Sequence, residues 1–424
     1  MNETQNTVSG LARRGGRLAL QYNDFTLNAF VVKSEIVGGF KGGTGLAATT
    51  DKHILGASAG LKLLDKRVEF RTIFVTGEED GSSFSLSTTS GTKKGDAVGL
   101  LLVTDFFQNR LRTEFETDFS RFDPDTSDEF GGKKDKAYRL KAGGSIDKYN
   151  YEAMYEYFGR DYAVIGNQMV QKDKQGLMVR AGANLGNHSL SLNLSRYNDN
   201  VTGDPLFPRI VNVQGNADYS FNGIQNLPMG INLQTGDQDS RREPAGTNPI
   251  ELHTNSITGR IGYIMASFNI NFQSAYSKMD DRTPANNDTT SITYTLSPSY
   301  NIPNFSVTPN FSLNQAKNTA TGVDTDTYTM NLDIRTKFLR DKGSFDTGGS
   351  YNIVKTDDKK TDTRNIAANF RLGYIIKDRF MGFLTPTVAL RGAYIKTTDR
   401  ITHSSDRDAL SIFLSLSTAI PFSF

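Results

Sequence analysis

Cysteine and tryptophan are both missing from the 424 residues. Without cysteine there are no disulfides, no thiolate nucleophiles and no thiolate metal sites. Histidine is scarce: His53, His188, His253 and His403 are scattered along the chain. His188 beside Ser189 and Ser191 does not make a catalytic set, and no nucleophile elbow, phosphate loop or zinc motif occurs. No enzyme activity, cofactor or metal is expected. A charge excess of either sign is lacking too. Lys+Arg 48 against Asp+Glu 46 gives +2, no field to recruit nucleic acid, and no nucleic-acid partner is expected. Long apolar runs are absent: the stretch Val98–Val103 is among the longest, far below the ~20 residues of a membrane helix. Residues 1–16 have no apolar centre of the signal-peptide kind, which implies a removed signal or a piece of a longer chain. Hydrophobic content of 37% and mean hydropathy of -0.44 are low for several packed cores. Gly 39, Tyr 17 and Phe 27 nevertheless separate the chain from disordered sequences.

What is present is a period of two. In 110–122, Leu111, Thr113, Phe115, Thr117 and Phe119 share one face, and Arg110, Arg112, Glu114, Glu116 and Asp118 share the other. A helix would mix these sets and a strand separates them. Phe268, Ile270, Phe272 and Tyr276 oppose Asn269, Asn271, Gln273 and Ser277 in the same way. Near the C-terminus Leu410, Ile412, Leu414 and Leu416 oppose Ser411, Ser415 and Ser417. The pattern gives roughly 21 candidate strands. Their connections alternate between short turns, as at 23–24, 64–66, 108–109 and 301–304, and long polar links, as at 35–52, 78–95, 122–135, 160–174 and 397–407. The organisation expected is an N-terminal segment over 1–12 followed by one transmembrane β-barrel over 13–424.

An up-and-down meander of this length leaves two open edges, and in hydrocarbon each unsatisfied backbone group costs several kcal/mol, so closure is required. The fold class expected is all-β: a large antiparallel up-and-down transmembrane β-barrel of roughly 20–22 strands, with short periplasmic turns and longer external loops. The odd strand count implies a further strand around 1–12 or within 35–52, or a longer chain. Tyr and Phe recur near strand ends, at Tyr22, Phe25, Phe106, Phe122, Tyr151, Tyr157, Tyr219, Phe221, Tyr300, Phe338, Phe383 and Phe424, as interfacial girdles do.

The chain ends AIPFSF, with Phe422 and Phe424 closing the last alternating strand. This resembles the C-terminal signal of the Gram-negative outer-membrane β-barrel (porin-like) superfamily. The resemblance implies an outer-membrane location, outer-membrane lipid as the surroundings, and recognition by the barrel assembly machinery through Phe422 and Phe424. No particular family is matched.

The face opposite the apolar one is the expected pore lining. Over the fourth to eighth strands it carries charges of alternating sign: Glu69, Arg71, Arg110, Arg112, Glu114, Glu116, Asp118, Arg139, Lys141, Glu152 and Glu156. These suit a cross-strand ladder bracing the wall or a field that selects solutes. Further on it becomes neutral, with Asn193, Asn232, Asn269, Asn271, Gln273 and Asn310, groups that hydrogen-bond water or sugars without trapping charge. The segment 122–130 spaces Asp123, Asp125, Ser127 and Glu129 at alternate positions, partly like a calcium loop, though it lacks the Gly and distal Glu. The function expected is a water-filled channel for hydrophilic solutes or an exported polymer. The alternatives are a scaffold barrel sleeving a partner protein in the lumen (a periplasmic protein, a lipoprotein or a cytochrome) and a barrel-anchored surface enzyme or adhesin. No TonB box or plug domain is visible, which disfavours energised transport.

Overall fold

A computed structural model describes residues 6–7, 15–33, 52–80, 91–167, 170–376, 379–380, 383–403 and 406–419. Among them are 22 strands and no helix. No helix is long and apolar enough to cross a membrane. The strands expected around 1–12 and within 35–52, and the terminal Phe422 and Phe424, lie outside the described residues. Asn6 and Thr7, inside the expected N-terminal segment, form a bend.

The chain folds as two compact units. The first is Met1–Asn184 with Ser191–Gly215 and Asp237–Ile250. The second is Leu185–Leu190, Asn216–Gly236 and Glu251–Phe424. The first holds β1 (Gly15–Tyr22), β2 (Phe25–Lys33), β3 (His53–Leu63), β4 (Val68–Asp80), β5 (Thr92–Phe106), β6 (Leu111–Asp123), β7 (Lys133–Ile146), β8 (Tyr149–Phe158) and nearly all of β9 (Lys174–Leu185). Each pairs antiparallel with its sequence neighbour. Residues of β10 (His188–Asn198), β11 (Arg209–Phe221) and β12 (Met229–Arg241) are divided between the units.

The second unit holds β13 (Glu251–Met265), β14 (Phe268–Asp281), β15 (Thr289–Ile302), β16 (Phe305–Asn318), β17 (Asp324–Phe338), β18 (Gly343–Thr356), β19 (Asp362–Ile375), the two-residue β20 (Arg379–Phe380), β21 (Phe383–Asp399) and β22 (Arg407–Ala419). They form the same meander, with β21 pairing to β19, β20 and β22.

Register turns the period of two into rows. In the first unit Leu61, Phe70, Leu102, Phe115, Leu140, Tyr155 and Leu177 stand opposite one another across β3–β9. All seven are exposed, at 38–50%. In the second unit Ile261, Phe272, Leu296, Phe311, Met330, Tyr351 and Ile366 make the equivalent row across β13–β19. Apolar rows on this scale far exceed the patches that water-facing monomers tolerate, and they suit hydrocarbon. Girdle residues follow: Tyr22, Phe25, Phe106, Tyr151, Tyr219, Tyr300 and Phe338 are exposed. Phe122 is a correction. It points to the opposite face, packed against buried Val32, Ile73 and their neighbours, because it pairs with Gly95, whose lack of a side chain makes room for the ring.

Strands are longer than the membrane requires. β5 has 15 residues; at ~3.3 Å per residue and a tilt near ~45° it rises ~35 Å, against an apolar band of ~25 Å. The overshoot falls at the long-link end. There the apolar face gives way to Thr76, whose Oγ1 donates to Asp96 at 2.6 Å, and to a Lys94–Glu78 ion pair at 3.0 Å.

Candidate functional site

The face opposite the apolar rows differs between the two units. In the first unit it carries the expected charges, brought together by register. Glu114 and Glu116 on β6 stand opposite Lys141 and Arg139 on β7, and Arg139 stands opposite Glu156 on β8. The Arg139 guanidinium reaches three carboxylates: Glu114 at 3.7 Å, Glu116 at 3.6 Å and Glu156 at 3.9 Å. Arg112 extends the ladder to Glu114 at 3.2 Å. A second ladder joins Lys141 to Glu152 at 2.9 Å and Arg180 to Glu152 at 3.6 Å. Glu69 and Arg71 pair along β4. Arg110 lies just before β6, and its carbonyl accepts a hydrogen bond from the Tyr151 hydroxyl.

Three of the expected lining residues are covered. Glu116 is 2% exposed, Asp118 0% and Glu156 7%. The cover has two parts. One is the β8–β9 connection, read from sequence as a polar link. Its Tyr162, Ala163, Val164 and Ile165 are buried against the wall, Ile165 among Phe30, Val32, Ile54, Ile73 and Val75, and Tyr162 and Val164 among Ala97, Ala137 and Phe158. Burying each larger apolar side chain contributes roughly 1.5–3 kcal/mol, enough to hold a connection onto the sheet face. Burial in this apolar contact and the nearby Asp118 and Glu116 push the Tyr162 hydroxyl well above the ordinary tyrosine range. The other part is the pair Asn6–Thr7. The Asn6 backbone N–H donates to Glu116 Oε1 at 3.2 Å, and its side-chain amide donates to Asp118 Oδ2 at 3.0 Å. Tyr162 Oη and Asn167 Nδ2 each donate to the Asn6 carbonyl at 3.4 Å, and Asn167 Nδ2 donates to the Thr7 carbonyl at 3.2 Å. Gly99 makes this possible, since a Cβ there would collide with Asp118 and press on Thr7. Three carboxylates around one arginine leave surplus negative charge, and neutral N–H donors from Asn6 offset part of it.

A loop brace lies outside the strands of this unit. Asn200, at a left-handed φ of 45°, donates from Nδ2 to the carbonyls of Asp204 at 2.9 Å and Phe207 at 2.7 Å. Arg160 pairs with Asp204, tying the β8–β9 and β10–β11 connections together. The Leu206 N–H and Arg160 hold the Asp204 carboxyl below its ordinary range, whereas burial raises that of Asp199. In 122–130 Asp125 is already engaged by the backbone N–H of Ser127 at 3.0 Å and its hydroxyl at 2.5 Å, which lowers its pKa. That is turn capping rather than an open ligand set.

In the second unit the same face carries an open, neutral band. Gln273, Thr295, Ser312, Thr329, Asn352 and Asn365 stand in one row across β14–β19, all amide or hydroxyl. Beside it run Asn271, Ser297, Asn310, Asn331 and Ser350. Neighbours in these rows bond one another: Asn310 Nδ2 to Ser297 at 2.6 Å, Asn352 Nδ2 to Thr329 at 2.9 Å, Thr295 with Ser312 at 3.3 Å. Asn269 is half-buried, and its side-chain Oδ1 makes no hydrogen bond among the described residues. Asn232 donates to Asp218 at 3.3 Å, where Arg260 also lies, at 2.7 Å to both carboxylate oxygens, its guanidinium seated over Gly230. Asn193, on β10, has its side-chain oxygen buried without a hydrogen-bond partner among the described residues.

The histidines stay apart from this chemistry. His188 stacks on Tyr219 and meets Phe221 at a tilt, and His403 pairs with Asp406 at 3.2 Å. No cluster of metal-ligating residues occurs among the described residues.

In each unit an antiparallel meander carries an apolar face and a polar opposite face, with strands overshooting a ~25 Å band and short turns alternating with long links, which is the architecture of an outer-membrane β-barrel wall. No family model matches the chain, and no curated protein matches it. Among solved structures it is similar to the FrpB iron transporter of Neisseria meningitidis (F3-3 variant), at 10% identity over 91% of this chain and 78% of that one, with a TM-score of 0.47. Pseudomonas aeruginosa OprD matches at 8% identity over 78% of this chain and 91% of that one, TM-score 0.37. An anion-selective porin from Comamonas acidovorans matches at 13% identity over 63% and 83%, TM-score 0.31.

Proposed function

We propose that the chain forms a water-filled channel through the outer membrane for hydrophilic solutes or an exported polymer. The observation that carries this reading is the open neutral row from Gln273 to Asn365, on the face opposite Phe272, Leu296 and Phe311. Against lipid or a dry core those amides and hydroxyls would each cost several kcal/mol. Against water they cost little. A closed wall of more than about 16 strands encloses an aqueous channel.

The test is single-channel recording of the detergent-purified, heat-modifiable chain in a planar bilayer. A steady conductance on the order of nanosiemens is expected for a lumen closed by more than about 16 strands. A second reading, a sleeve for a partner protein, draws on Asn6–Thr7: the charged face already accepts a short peptide bend through both backbone and side chain. A folded chain that never conducts supports the sleeve over the channel.

A further inference from the structure

We propose that Arg371, Arg391 and Phe413 form a subsite for a carboxylate that carries an aromatic or apolar body. The proposal rests on the reading that the polar face of the second unit lines an aqueous passage.

Arg371 on β19 and Arg391 on β21 are directly opposite in register. Directly paired positions place Cβ atoms ~4.5–5.5 Å apart, and like charges there are destabilising. Elsewhere on the polar faces, register sets charge against counter-charge, as with Arg139 and Glu116. Here it sets two guanidiniums together. Both residues are exposed, and neither guanidinium makes an ion pair or hydrogen bond among the described residues. Asp346 is next in the row beyond Arg371, followed by Arg335, and these two also remain out of ion-pair range. The four side chains together carry +2. A bidentate oxyanion bridging two guanidiniums removes the repulsion and satisfies two donor forks at once.

The flank defines the rest of the ligand. Phe413 on β22 is directly opposite Arg391. It shares the parity of Ser411 and Ser415, on the polar face, and is 64% exposed. A phenyl ring presented among hydroxyls, one inter-strand step from an unpaired arginine pair, offers apolar contact to the body of an anion whose carboxylate sits on the guanidiniums. Inorganic anions gain nothing from that ring, and neutral aromatics gain nothing from the arginines.

The test uses the full chain folded in detergent. Calorimetric titration with benzoate, acetate and benzyl alcohol is run on wild type, R371Q/R391Q and F413A, each checked for heat-modifiability. Benzoate is expected to bind about tenfold tighter than either of the other probes. F413A is expected to bring benzoate down to the level of acetate, and R371Q/R391Q to the level of benzyl alcohol. A folded R371Q/R391Q that binds benzoate as wild type does, or a wild type that does not distinguish the three probes, overturns the proposal. Bilayer recording of the same samples separates the two readings: binding without conductance sinks the channel and leaves the subsite standing, whereas conductance without benzoate preference does the reverse.

Discussion

Arg139 on β7 stands directly opposite Glu116 on β6, Nη1 3.6 Å from Oε2, and the glutamate is 2% exposed. Taking away one partner of such a buried pair leaves an uncompensated charge and costs about 3–5 kcal/mol, whereas replacing both often costs far less. R139M is therefore expected to lower unfolding stability by about 3 kcal/mol, and E116Q/R139M to recover more than half of that loss. Urea unfolding followed by gel mobility reads both. Equal stability for the single and double variants would mean that the ladder does not act as a unit.

The two faces respond differently to a new charge. F115R and L296R place a cation in the apolar rows and are expected to destabilise by about 2–4 kcal/mol. S312R, in the neutral row, is expected to stay within about 0.5 kcal/mol of wild type. Refolding yield into lipid vesicles checks this, and similar losses at both kinds of position would contradict the assignment of faces.

The hold on the N-terminal residues is measurable because the chain has no cysteine of its own. T7C introduces a single thiol at a position 1% exposed. Its maleimide labelling is expected to be slow, and to accelerate several-fold when Y162F and N167A remove the donors to the Asn6 and Thr7 carbonyls; each lost hydrogen bond is worth about 1 kcal/mol. Labelling as fast as a loop thiol in the T7C parent would contradict the docked arrangement.

Acid should loosen the brace at 199–208. The Asp204 carboxyl is held below its ordinary value by Leu206 N–H and Arg160. A carboxylate lowered in the folded state contributes stability fully above its unfolded pKa and loses it as pH falls through the folded value, here below about 3.8. Asp199, raised by burial, works in the opposite direction and is not the source of an acid-driven loss. Limited proteolysis with an acid-active protease is expected to cut this loop faster as pH drops through that range. In D204N the loop is expected to be cut readily at pH 5, with a smaller further step below.

Most of the meander was legible because a strand writes its two faces at alternate positions. What the sequence concealed is instructive at two places. The ends of β4 and β5 were read as loop because Glu78, Glu79, Lys93 and Lys94 are loop-like in composition. Yet Glu78 pairs with Lys94 and Glu79 with Lys93, since the backbone ladder is indifferent to side-chain charge once the strands have left the membrane. The β8–β9 connection was read as polar although it contains YAVIG at 162–166, an apolar run inside a link. That run was the available signal for a segment folded onto the wall, and nothing in local spacing says which wall. Parity alone sets the charged residues on the face opposite the apolar row. That Glu116 and Asp118 lie beneath Asn6 and Tyr162 depends on contacts up to 161 residues apart, as from Asn6 to Asn167, which periodicity does not encode.

The transverse rows also govern how such a gene tolerates change. Every strand contributes alternate residues to an apolar row and a polar row, so losing or gaining one codon inside a strand exchanges the faces for everything up to the next turn. Phe115 would then stand where Glu116 stands, and the guanidinium of Arg139 would meet a phenyl ring. Single substitutions leave these rows in place, whereas a change of length is expected to be tolerated only in pairs of residues or in the long links. Relatives of this chain are therefore expected to differ in the size of their outer connections while keeping the parity of each strand.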